Sequence, residues 1–92
     1  MGRAREVVRY KLERGGRIIE VVIWRLDAPL SGSDHLYKYR LFYGDDDGRC
    51  LVRYDNERGK GDHRHLPAGE ESYRFTTLQR LIEDFEADVE RI

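Results

Sequence analysis

The fold class predicted for these 92 residues is α+β: an antiparallel sheet of four to five strands, made of two hairpins plus a short strand, packed by one C-terminal helix. Three observations predict it. Apolar residues recur at every second position over most of the chain, glycine- and aspartate-rich clusters interrupt them at hairpin spacing, and the period changes once, near Thr76, to three and four.

The first strand is Arg5 to Leu12, with Val8, Tyr10 and Leu12 alternating against Arg5, Val7, Arg9 and Lys11. Glu13-Arg-Gly-Gly16 then supplies the positive-φ residues of a hairpin turn. Ile18 to Leu26 is β-branched and largely apolar on both faces, so it reads as a central strand in which Trp24 belongs to the core. Asp27 to Asp34, with a proline and a glycine, breaks it. Leu36 to Tyr43 alternates again, with Tyr37, Tyr39, Leu41 and Tyr43 on one face and Lys38, Arg40 and Phe42 on the other. Gly44-Asp-Asp-Asp-Gly48 turns the chain into Arg49 to Asp55, completing a second hairpin. A short strand is expected at Ser72 to Phe75. Thr76 with Gln79 fits a capping box, and Leu78, Leu81, Ile82, Phe85, Val89 and Ile92 lie three or four apart, which predicts a helix of about 15 residues. Its other face, with Glu83, Asp84, Glu86, Asp88 and Glu90, is expected to meet solvent.

One domain over 1–92 is expected from the length, and the lone Cys50 offers no disulfide scaffold. No apolar leader or long apolar run is evident, so the cytoplasm and no membrane are the expected setting. Charged residues make up 38% of the chain yet the net charge is −1. Segments 1–26, 27–56, 57–66 and 67–92 carry +4, −2, +1 and −4, a basic front against an acidic tail. Soluble outer faces account for much of this.

Chemistry concentrates in the twelve residues Tyr54 to His65. If His63-Arg-His65 is extended, as Gly59, Gly61 and Pro67 around it suggest, the two imidazoles project to one side with Cβ atoms roughly 7 Å apart. Two histidines flanking a phosphodiester can serve as base toward a ribose 2′-hydroxyl and acid toward the departing 5′-oxygen. Arg58, Lys60 and Arg64 would neutralise the phosphate, Asp62 or Asp55 would orient an imidazole, and Tyr54 would lend support. The expected activity is that of a metal-independent endoribonuclease: His63, His65, Asp62 and Tyr54 catalytic, Arg58, Lys60, Arg64 and Asp55 binding substrate, with no cofactor and no metal.

Other readings of the same residues stand beside it. His-x-His, with Asp62, Asp55 or His35, is a metal-ligand spacing and would suit a hydrolase. Gly59-Lys-Gly61 lacks the spacer, the Ser/Thr and the following helix of a nucleotide P-loop. A solvated hairpin loop with histidines on an edge strand needs no function at all. A non-catalytic module could bind RNA or protein with the same basic loop. The tyrosine row of Tyr37, Tyr39 and Tyr43 offers bases a stacking surface or, equally, a half-buried strand face. Arg5, Arg9, Lys11 and Arg17, with Lys38 and Arg40, extend a positive track or simply guard an edge. Cys50 has no sequence neighbour that would activate it.

Gly-Lys-Gly-Asp-His-Arg-His, preceded by Tyr-Asp-Asn and the strand Tyr-Lys-Tyr-Arg-Leu-Phe-Tyr, with Glu-Val-Val-Ile-Trp upstream and Leu-Ile-Glu-Asp-Phe downstream, closely resembles the TumE family of small prokaryotic toxins. The resemblance runs from about Tyr10 to about Val89. It implies the toxin half of a type II toxin–antitoxin pair, made beside a protein antitoxin that is typically a DNA-binding regulator. RNA and that antitoxin are the expected partners.

Overall fold

A computed structural model describes residues 3–92. Six antiparallel strands follow one another in sequence order as a meander: β1 (Ala4–Arg14), β2 (Arg17–Leu26), β3 (Tyr37–Asp45), β4 (Cys50–Glu57), β5 (Gly61–Leu66) and β6 (Gly69–Ser72). One helix, α1 (Leu78–Arg91), closes the chain.

The sheet therefore has six strands, not four to five. The stretch Tyr54 to His65 is the end of β4, a three-residue turn at 58–60 and most of β5, with the two strands paired from Arg53↔His65 to Glu57↔Gly61. Polar side chains hid the strand, because hydrogen bonding to both neighbours stabilises it where periodic burial does not. The last strand falls at Gly69–Ser72, earlier than the expected Ser72 to Phe75, because Pro67 and Gly69 turn the chain straight back on β5. The helix is capped by Thr77, whose Oγ1 accepts from the Arg80 N–H at 3.1 Å, one residue later than the Thr76 box.

Directly paired residues share a face and successive residues alternate, so the register sorts every side chain. On one face Val21, Ile23, Tyr39, Leu41, Tyr43, Val52 and Tyr54 are buried with Leu81 and Phe85 of α1 in a single core. Tyr54 meets Phe85 edge-on, with centroids 5.8 Å apart. Trp24 is not among these: it pairs with Lys38 on the opposite face and is partly exposed.

Across that opposite face, two rows run through all six strands. One reads Arg9, Val22, Arg40, Asp55, His63, Ser72; the other reads Lys11, Glu20, Phe42, Arg53, His65, Glu70. Among the described residues no helix or further strand lies over them. The chain has no helix long and apolar enough to cross a membrane among those residues.

Asp88 was expected in solvent and is buried instead. Residues 81, 85 and 88 lie on one helical stripe at i, i+4 and i+7, so the period itself turns Asp88 inward. Arg64 of β5 makes the burial tolerable, with Nη1 3.1 Å from Asp88 Oδ2, and Tyr54 and Arg91 also donate to this carboxylate.

Candidate functional site

The strand pairing divides the residues singled out in the sequence into three groups. Asp55, His63 and His65 share the uncovered face. Tyr54, Asp62 and Arg64, each one position off, point beneath the sheet toward the helix side. Arg58 and Lys60 stand at the β4–β5 turn in solvent, with Lys60 Nζ 3.9 Å from Glu57.

On the uncovered face, His63 Nε2 lies 2.7 Å from Asp55 Oδ1, and Arg53 Nε lies 3.2 Å from Asp55 Oδ2. Both are ion-pair distances, but neither contact is aligned as a hydrogen bond. Arg53 Nε, Asp55 Oδ1 and, outside both contacts, His65 Nδ1 are the three buried side-chain polar atoms without a hydrogen-bond partner among the described residues. All three belong to two adjacent cross-strand pairs. Buried polar atoms without hydrogen bonds are rare in folded proteins, and here two of the three sit in ion pairs whose alignment leaves bonding capacity unused on one spot. Asp55 and His63 are about nine-tenths shielded, which strengthens the interaction between them.

Beneath the sheet the same strands are fully partnered. Asp62 accepts from the Tyr39 hydroxyl at 2.7 Å and lies 2.6 Å from His35 Nε2, while Ser33 Oγ stands 3.4 Å from its other oxygen. The Tyr37 N–H donates to His35 Nδ1, so both imidazole nitrogens are occupied, and the ring stacks on Phe75 at 3.9 Å. Burial first, and the Asp62 hydrogen bond second, raise the Tyr39 hydroxyl well above its ordinary pKa. Burial and then Asp88 do the same to Tyr54. Arg64 forks between Glu71, at 2.8 Å, and Asp88, and its hydrogen bonds to Tyr54 and Glu71 raise its pKa further. None of these three side chains can reach a ligand held over the histidines.

The two glycines of the Gly-Lys-Gly segment have different reasons. Gly61, at φ 76°, lies under the 30–33 loop, where a Cβ would come 2.9 Å from the Gly32 carbonyl oxygen. Gly59 N–H donates to the Ser31 carbonyl at 2.6 Å, pinning the same loop to the turn. Gly61 thus lets two backbones touch, whereas Gly59, with open space where a Cβ would stand, serves the turn through its φ of 83°.

Arg53 is the functional candidate that sequence reasoning missed. It sits twelve residues before His65, and only the β4–β5 register brings the two together. A ligand set different from His-x-His also emerges: Asp55, Glu57 and His63 can place one ligand atom each within 4.8 Å of one another. Cys50 is partly buried and burial raises its thiol pKa, which does not favour a thiolate.

A helix-backed meander whose open face brings Asp55 together with two imidazoles and guanidinium groups, with several polar atoms left without hydrogen bonds, defines a small domain that presents a cluster of titratable groups on a sheet surface. A family model described as Toxin TumE matches residues 1–92, and the chain belongs to that toxin family. Such membership suggests an antitoxin partner. No curated protein and no solved structure matches it.

Proposed function

We propose that this toxin is a metal-independent endoribonuclease acting in the cytoplasm, with His63 and His65 as its acid–base pair. The clustering of Arg53 Nε, Asp55 Oδ1 and His65 Nδ1 without partners beside His63 carries the reading. Asp55 holds Nε2 of His63 and stabilises the imidazolium that forms, leaving Nδ1 to take the proton of a ribose 2′-hydroxyl. The 2′-oxygen bonds to the adjacent phosphorus as the bond to the 5′-oxygen breaks. His65 gives its proton to that leaving oxygen, and a 2′,3′-cyclic phosphate remains. Arg53 and Arg40, flanking the pair, offset the charge that builds on the phosphorane oxygens, and Arg58 and Lys60 hold the RNA backbone at the turn. Tyr54, Asp62 and Arg64 act by positioning β4 and β5 from below. An antitoxin, a DNA-binding regulator made alongside, silences the toxin by covering this face.

Cleavage of an RNA in EDTA tests the scheme. Expected are a cyclic-phosphate end, a rate that falls on both sides of a pH optimum, and loss of cleavage in His63→Ala and His65→Ala with the fold intact. Intact RNA with growth arrest retained would replace catalysis by occupancy. The Asp55, Glu57 and His63 grouping favours a second reading, metal-assisted hydrolysis, which predicts activity abolished by EDTA and restored by one divalent ion.

A further inference from the structure

We propose that Phe42 and Trp24 form a base-stacking platform on the uncovered face, and that this platform selects single-stranded RNA over duplex; the inference rests on the RNA reading above. The tyrosine row that the sequence offered for stacking is unavailable, since Tyr39 and Tyr43 are buried in the core under α1. The aromatic rings left on the open side are those of Phe42 and Trp24, both partly exposed.

Each ring is paired with a guanidinium. Arg40 lies 5.0 Å from the Phe42 centroid and Arg9 lies 5.9 Å from that of Trp24. Each guanidinium lies over a face of its ring, and Arg9 is also paired with Glu6, so an unpaired base takes a ring face as the exposed guanidinium swings to the nucleotide's phosphate. The open face is near charge balance, with Arg9, Lys11, Lys38, Arg40 and Arg53 against Glu6, Glu13, Glu20, Asp55, Glu57 and Glu70, so stacking on the two rings, not net charge, must supply the platform's hold on RNA.

The placement of Phe42 ties the platform to the reactive groups. It stands directly opposite Arg53, which stands directly opposite His65, so ring and imidazole are two strand spacings apart, about 10 Å. Gly44, two residues further on the same face, sets the ring's attitude: a Cβ there would lie 2.6 Å from Phe42 Cζ and would also strike the Arg49 carbonyl. Its absence lets the ring lean along the strand. Bases in a duplex are already stacked on one another and present no free face to such a ring.

Trp24 is the only tryptophan, so its emission reports binding directly. The free toxin is titrated with a single-stranded 2′-O-methyl RNA oligonucleotide, which lacks the attacking hydroxyl, and with its duplex. Quenching by the single strand is expected, with duplex at least about tenfold weaker. Phe42→Leu, which keeps an apolar side chain, should weaken single-strand binding about tenfold, and Phe42→Tyr should restore it. Equal affinity for duplex, no binding, or an unchanged Phe42→Leu variant would overturn the platform. Binding and quenching without cleavage of the 2′-hydroxyl oligonucleotide would remove the ribonuclease reading and leave the platform standing. Cleavage indifferent to Phe42 and to strandedness would do the reverse.

Discussion

The two faces of one sheet solve opposite problems with neighbouring residues of the same strands. Under the helix, charged and polar side chains are buried and completed: Asp88 by Tyr54, Arg64 and Arg91, Asp62 by Tyr39 and His35, Asn56 by the Tyr39 N–H at 3.0 Å and the Tyr37 carbonyl at 2.7 Å. On the open face, one residue along, Asp55 is buried, Arg53 and His65 are partly buried, and each keeps a side-chain atom without a hydrogen bond. A satisfied buried network rigidifies, whereas an unsatisfied one keeps bonding capacity in reserve for a ligand. Arg64 thus lies in the completed network beneath the sheet, and His63 and His65 lie on the open face.

That contrast can be broken most sharply from below. Phe85→Ala should destabilise by about 4 kcal/mol in a denaturant titration, because it empties the centre of a single core. Arg64→Ala should follow at about 3 kcal/mol, since it strips a buried carboxylate of its main cation. Any loss of toxicity in Arg64→Ala would then track the folded fraction and recover on cooling. Unchanged stability would show that the Asp88 network does not hold the helix.

Asp55→Asn sharpens the same comparison on the other side. It keeps the shape but removes a shielded charge whose contacts are misaligned, so stability should change by less than about 1 kcal/mol and can rise, while cleavage is lost. A loss of 3 kcal/mol or more would move Asp55 to the structural group.

The smallest effect is an alkaline one. Tyr39, Tyr54 and Tyr73 all have pKa values raised above 10.0, with burial the first cause and carboxylate hydrogen bonds the second. A pKa raised in the folded state stabilises below the unfolded value and loses that contribution as pH climbs toward the folded one. Stability should therefore be flat up to about pH 10 and fall beyond it. In an absorbance titration these three of the six tyrosines should ionise only together with unfolding. More than three tyrosines titrating reversibly near pH 10 in the folded protein would contradict that burial.

Much was legible in the residues alone. Alternation located β1 to β4, the three-and-four period located α1, and the density of His, Arg and Lys after Tyr54 drew attention to β5. These are local properties: side-chain spacing along one segment decides its periodicity, and turn residues act within a few positions. The TumE resemblance carried the same segments to a family. What remained hidden depended on pairing between segments. Arg53 opposite His65, Asp55 opposite His63, and Arg64 reaching Asp88 each join residues 8 to 24 positions apart. Trp24 and Phe42 fall on the open side because a single helix covers the other, and Asp88, which the helical period turns inward, is tolerated there because a strand places a guanidinium beside it. Periodicity says that neighbouring side chains part to opposite faces; only packing decides which face the helix covers, and so which of them meet a ligand.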